Sequence, residues 1–184
     1  MIILKNNYYL YIKNTSDLCI EKIKSNKKIN IILRNTQYKD ISNILKFRRK
    51  CKIKKFKLFI ANNIIVAKKV KADGLYISSY NKKKYYINIP KIGSAHNLKE
   101  INEKKFQGCG VVIFSRLFKT KYKDKKNYIG VVKFNLLIKK KNKKIIPLGG
   151  INNQNLLKLN MINSEGFAYL SAVKKKPAIS SRLF

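Results

Sequence analysis

The chain has 184 residues and a formal charge of +35, from 43 basic and 8 acidic side chains, in a composition that is 45% hydrophobic. That length suits one domain with a sizeable core, no Pro/Gly/Ser-rich stretch divides it, and no apolar run approaches the length of about 18 residues that a membrane-spanning helix needs. The charge is nearly all lysine spread through every segment beside abundant Asn, Ile, Tyr and Phe, the imprint of an AT-rich genome; with no RNP, zinc-knuckle or helix-turn-helix pattern, specific nucleic-acid recognition is not expected, and salt-sensitive polyanion binding is at most a side property.

In chain order, short β-branched and aromatic runs alternate with stretches of helical periodicity. Strands are predicted near Tyr8–Ile12, Ile29–Arg34, Lys57–Ala61, Gly74–Ile77, Ile92–Ala95, Val111–Phe114, Ile145–Leu148 and Ala168–Leu170. Between them the spacing predicts helices around Asp17–Ile23, Tyr38–Arg49, Ile64–Val70, Leu98–Lys104, Tyr128–Lys139 and Asn153–Leu159. The Lys-rich stretch from Ser78 to Tyr86 is too short for a full helix and is predicted as a loop or single turn. Eight strands with intervening helices suit an α/β fold of the compact (β/α)8 TIM barrel type, as a single domain, better than an open doubly wound sheet. Such barrels usually need about 250 residues and rarely fewer than about 200, so this one requires short connections nearly everywhere.

Cys19, Cys51 and Cys109 are widely separated, without a CxxC, and His96 is the one histidine available to complete a metal site. Reduced thiols and an N-terminus without a secretory pattern lead to the expectation of a cytoplasmic protein.

Working residues in such barrels sit where the strands end, and a phosphate site commonly forms after strands seven and eight. The unusual polar residues fall there. Arg34 closes strand two, Ser94 and His96 follow strand five, Thr120 to Lys123 follow strand six, Gly149-Gly150 follow strand seven, and Ser171-Ala172 follow strand eight. A guanidinium grips phosphate in a fork, and Arg34 is equally consistent with a solvated strand end. His96 can move a proton near neutral pH, or simply bond to loop backbone. Ser94 is a site residue or a cap for the helix near Leu98, and Lys123 is one of several lysines in its loop. Asn152-Asn153 reads as a helix-capping pair, and Gly149-Gly150 before it either lets the backbone approach an anion at the helix N-terminus or makes a plain tight turn.

The motifs, taken together, resemble the thiamine phosphate synthase family and its sister thiazole tautomerase, TenI. Ala72-Asp73-Gly74 resembles the family's ADG, Ile92-Gly93-Ser94-Ala95-His96 its GVSAH, and Phe118-Lys119-Thr120-Lys121-Tyr122-Lys123 its FPTxTK. Pro147-Leu148-Gly149-Gly150-Ile151 resembles its IGGI, and Leu170-Ser171-Ala172-Val173 its VSAI. The family joins an aminopyrimidine methyl diphosphate to a thiazole phosphate, releasing diphosphate with Mg2+ assistance. The resemblance implies that Gly149, Gly150, Ser171 and Ala172 cradle the thiazole phosphate, that Arg34, Ser94, Thr120 and Lys123 face the diphosphate, and that Lys123, Thr120, Ser94 and His96 form the catalytic set. The partners it implies are small-molecule phosphates.

Departures cluster on the diphosphate and metal side. Where the family reads QxRxK in strand two, Ile32 and Thr36 flank Arg34; its Asn-Asp after strand three falls at Ala61-Asn62, its metal-binding Asp at Asn81, and a strand-four histidine at Tyr76. Mg2+ is then a weakened cofactor, both expected carboxylates being amides; Asp40 and Asp124 are the nearest acids by sequence. Three readings follow: a diverged synthase, a tautomerase in which His96 moves the proton, and a noncatalytic phosphate-ligand binder on the same barrel.

Overall fold

The computed structural model describes residues 5–23, 28–120, 127–141, 144–152 and 154–169. Eight parallel strands close into one barrel in sequence order: β1 (Asn7–Ile12), β2 (Lys28–Leu33), β3 (Lys57–Ala61), β4 (Gly74–Ile77), β5 (Lys91–Ala95), β6 (Val111–Ser115), β7 (Lys144–Leu148) and β8 (Gly166–Tyr169). The ring shuts where β1 pairs with β8, with Asn7 opposite Gly166 and Leu10 opposite Tyr169. A side chain at position 166 would collide with the Asn7 carbonyl, its Cβ only 1.9 Å from that oxygen, so the closure requires glycine there.

Nearly every strand residue is buried, because one face lines the lumen and the other lies under helices. The lumen face forms its own apolar cluster: Tyr9 and Tyr11, Ile32, Phe59 and Ala61, Tyr76, Ile92, Ile113, Ile146 and Leu148, and Ala168. The outward residues pack against α1 (Ile41–Ile53), α2 (Ile64–Lys69), α3 (Leu98–Phe106) and α4 (Gly130–Lys141). α1 buries Ile44, Phe47, Arg48 and Cys51, one stripe at helical spacing. Asn63 and Asn97 cap α2 and α3 by accepting from Val66 N (3.0 Å) and Glu100 N (2.9 Å).

Two predicted helices are instead short 3-10 segments. In place of Asp17–Ile23 the chain makes turns at Thr15–Asp17 and Ile20–Lys22, separated by extended backbone at Leu18 and Cys19. The Asp17 carboxylate accepts from the N–H groups of Lys13 and Asn14, which ties off the first turn. Near the other end, Leu156–Met161 is 3-10, and its buried Leu156 and Leu159, with Ile162 beyond, recur every third residue, the row that a three-residue turn presents. That helix starts behind Asn155; Asn152 instead accepts from Gln154 N and Asn155 N in the preceding turn, and Asn153 lies outside the described residues. The β4–β5 connection contains no helix. These economies let a 184-residue chain close an eight-stranded barrel.

Asp73 of the ADG motif is a strut. Its carboxylate accepts from Arg48 Nη2 and from Leu58 N, both at 2.7 Å, joining α1 to the start of β3. All three cysteines are free thiols, Cys51 and Cys109 buried and Cys19 exposed; burial pushes the Cys51 thiol up to about 12. Among the described residues no helix is long and apolar enough to cross a membrane.

Candidate functional site

The strands all run one way, so their C-terminal ends form one mouth, and most of the polar residues singled out in the sequence meet there. Among the described residues, the starts of the β6 and β7 loops are tied together through their backbones. Leu117 N donates to Leu148 O (2.9 Å) and Phe118 N to Gly149 O (3.1 Å), which lays one loop along the other. Gly149 and Gly150 both adopt left-handed backbone, with φ of 99° and 70°. A Cβ at Gly150 would sit 2.3 Å from the Phe118 carbonyl oxygen and 2.6 Å from that of Lys119. The glycine pair therefore presses directly on the backbone leading to Thr120. The Thr120 hydroxyl is buried and, among the described residues, has no hydrogen-bond partner.

Arg34 follows β2 directly; its N–H donates to Ile12 O (3.0 Å) and its side chain is exposed at the rim. Ser94 lies on β5, 7% exposed, and does not cap α3, a task Asn97 performs. Ser94 faces Tyr76, whose hydroxyl group is made less acidic by burial, an effect offset in part by the Ser94 and Tyr11 hydroxyls and the Arg34 charge. Tyr11 meets Tyr76 edge to face, with ring centroids 5.4 Å apart. His96 is exposed, its Nδ1 3.1 Å from Glu100 Oε2, while its N–H donates to the same oxygen at 2.8 Å. The imidazole therefore belongs to the start of α3, within reach of the rim but already paired.

The positions where a metal would be sought hold a closed knot of amides. Asn62, at φ 55°, accepts at Oδ1 from Ser78 N (3.0 Å), Ser78 Oγ (3.1 Å) and Asn81 Nδ2 (3.0 Å). Its Nδ2 donates to Ser78 Oγ (2.8 Å) and Tyr80 OH (3.2 Å). Asn81 also donates to Tyr85 OH (2.9 Å) and accepts from Lys83 N (2.9 Å), and Tyr85 OH donates to Asn62 O (3.1 Å). With its lone pairs taken, the Asn62 oxygen has none left for a cation, and Asn81 turns a nitrogen toward it. Among the described residues no three His, Cys, Asp or Glu side chains lie together; Asp40 stands at the start of α1. These residues do not fit Mg2+, which takes carboxylate oxygens in near-octahedral geometry.

Below the knot lies a buried cation. Lys104 of α3 is fully buried, its Nζ donating to Asn81 O (2.7 Å) and Gln107 Oε1 (2.9 Å), while Gln107 Nε2 holds Asn81 O and Lys83 O (both 2.9 Å). Its stem crosses β5 at Gly93, where a Cβ would come within 2.7 Å of Lys104 Cγ. The glycine of the GVSAH-like motif thus makes room for the lysine that anchors the β4–β5 connection. Burial lowers the pKa of that ammonium.

Thr120, Ser94, Arg34, Gly149 and Gly150 accordingly gather at the mouth, Asn62 and Asn81 face one another at its β3–β4 side, and His96 stands at the edge. Lys123, Ser171, Ala172 and Asp124 lie outside the described residues. Sequence reasoning missed Tyr11 as a mouth residue and Lys104, Ser78 and Tyr85 as supports of the amide knot. Both faces of β1 are apolar, so its pattern does not mark Tyr11 as facing inward, and nothing local distinguishes Lys104 from its many neighbours.

A model of the thiamine monophosphate synthase family (TMP-TENI) matches residues 19–173. A thiamine-phosphate synthase from Prochlorococcus marinus is 31% identical over 80 residues, 44% of this chain and only 23% of that protein, so the match spans less than a quarter of the relative. A thiamine phosphate pyrophosphorylase structure from Pyrococcus furiosus superimposes with a TM-score of 0.77 at 19% identity, covering 98% of this chain and 93% of that one. Another, from Bacteroides thetaiotaomicron, gives 0.58 at 16% identity over 90% and 82%. At these identities the structural likeness carries the barrel and nothing finer.

Proposed function

The chain belongs to the thiamine monophosphate synthase family, and from that premise we propose that it acts in thiamine biosynthesis on a thiazole phosphate held at the barrel mouth. The observation that carries this reading is the Gly149-Gly150 turn, pressed against the Phe118–Lys119 backbone that leads to a buried Thr120 hydroxyl without a partner among the described residues. That half of the site is built for a phosphate. The reaction proposed is the family's: the bond from the pyrimidine methylene to diphosphate breaks, diphosphate leaves with the electron pair, and the thiazole nitrogen lone pair forms the new C–N bond. The chain's own contribution is to hold the nucleophile by its phosphate, shelter the methylene above Tyr11 and Tyr76, and meet the departing negative charge with Arg34 and Lys123. Because Asn62 and Asn81 satisfy each other, the reading includes no Mg2+ step.

A second reading, a thiazole tautomerase, is favoured by that same amide knot and by His96 with Glu100 at the rim. It needs only the thiazole phosphate. The test is to incubate pure protein with both substrates and follow thiamine phosphate by chromatography, against a no-enzyme control and a Lys123→Ala variant. Product that depends on Lys123 supports the synthase. Absence of product from folded protein that binds thiazole phosphate refutes it, and His96→Ala then separates a tautomerase, which loses activity, from a binder without any.

A further inference from the structure

Three exposed side chains meet on the outer wall of the barrel. Tyr86, 87% exposed in the β4–β5 connection, and Phe106, 74% exposed at the last position of α3, share one cation: Lys84 Nζ stands 5.4 Å from the centre of the tyrosine ring and 4.4 Å from that of the phenylalanine ring. A single exposed aromatic residue is ordinary, but two gathered around one ammonium form a patch that core packing does not require. α3 starts at the mouth after β5 and carries the chain back to the start of β6, so Phe106 lies toward the opposite end of the barrel from the Gly149-Gly150 turn.

The patch is held in shape from beneath. Buried Lys104 donates to Asn81 O (2.7 Å), buried Gln107 to Lys83 O (2.9 Å), and Lys91 Nζ to Tyr85 O (2.9 Å). The backbone that presents Lys84 and Tyr86 is thus fixed at three carbonyls without forming a helix, and a partner loses little in ordering it. The surroundings are cationic: Lys83, Lys99 and Lys105 are exposed, and Lys99 precedes Phe106 by two turns on the same stripe of α3. The acids nearby are Glu100 and Glu103, paired with His96 and Lys82.

Charge complementarity on a chain of net charge +35 selects a polyanion, and the rings select one that offers flat faces. We propose that Tyr86, Phe106 and Lys84 form a sequence-tolerant binding surface for single-stranded nucleic acid, with bases stacking on the two rings and phosphates meeting Lys84 and its neighbouring lysines. A duplex keeps its base faces stacked inside, and a lipid surface fits less well because Lys84 would be carried with the rings into the acyl boundary, where charge is costly.

The test is fluorescence anisotropy of a labelled mixed-sequence single-stranded RNA of about twelve nucleotides, with its duplex and heparin as competitors, at salt from about 50 to 200 mM. Binding to vesicles of anionic phospholipid is measured beside it. Wild-type protein is expected to prefer the single strand to the duplex and to weaken steeply with salt. Tyr86→Ala with Phe106→Ala is expected to bind the single strand about tenfold more weakly, to keep its affinity for heparin, and to melt as the wild type does. Tyr86→Leu with Phe106→Leu, which keeps apolar side chains and removes the aromatic faces, should lose as much. Unchanged single-strand affinity in the double variants, or an equal loss for heparin, leaves only generic electrostatics and overturns the inference. Vesicle binding that the double variants abolish while single-strand binding survives assigns the patch to a lipid surface and overturns it as well.

Discussion

Replacing Gly150 by alanine tests whether the phosphate half of the mouth is as tightly built as its geometry indicates. The new Cβ would lie 2.3 Å from Phe118 O, 2.5 Å from Phe118 C and 2.6 Å from Lys119 O, all backbone atoms that cannot rotate aside. The residue would also have to hold φ at 70°, which costs a non-glycine residue about 1–2 kcal/mol. Forcing the two loops apart adds about 1–3 kcal/mol, so the total is about 2–5 kcal/mol against a net stability of about 5–15 kcal/mol. For a domain of this size the melting temperature should fall by about 10 °C, within a range of about 4–20 °C. Gly110→Ala is the control: nothing lies within 4 Å of its Cβ and its backbone is not left-handed, so its melt should stay within about 2 °C of the wild type. The assay is thermal unfolding by circular dichroism, paired with titration of inorganic phosphate. A Gly150→Ala variant that melts like the wild type and binds phosphate normally refutes the reasoning, as does an equal loss in Gly110→Ala.

Asp73→Asn should cost about 1–3 kcal/mol in urea unfolding, because it leaves the 9%-exposed Arg48 side chain without its counter-charge while Asp73 itself remains partly solvated; an unchanged midpoint contradicts the strut. Lys104 binds its proton less tightly in the folded chain than the reference 10.5, so the unfolded chain holds more protons in the window just below pH 10.5, and stability relative to Lys104→Met should rise with pH there. A flat or falling difference between the two chains refutes that burial effect. MgCl2 should leave the melting temperature of the wild type unchanged, whereas Asn62→Asp with Asn81→Asp should gain a Mg2+-dependent rise of a few degrees; stabilisation of the wild type by Mg2+ would mean the amide knot opens.

The barrel was legible because its eight strands are compact runs of Ile, Val, Phe and Tyr, and the structure returns each within about two residues. What sequence spacing could not show is which face of a strand points inward, since both faces are apolar in a closed parallel barrel. Tyr11 escaped notice for that reason. The helices expected at Asp17–Ile23 and Asn153–Leu159 failed where asparagine and aspartate side chains took backbone hydrogen bonds and apolar residues repeated every third position. The glycine pair, Thr120, Ser94 and Arg34 were singled out by their position at strand ends, and the structure places them at the C-terminal ends of the strands. Lys104 was not, because one buried lysine cannot be told by composition from dozens of exposed ones; only Gly93 beneath its stem hints at it.

The most direct measurement is an experimental structure of the protein with thiazole phosphate bound. The account predicts the phosphate against the N–H groups of Gly149 and Gly150 beside the Thr120 hydroxyl. A ligand seated elsewhere on the chain, or a phosphate turned toward Asn62 and Asn81, would contradict it.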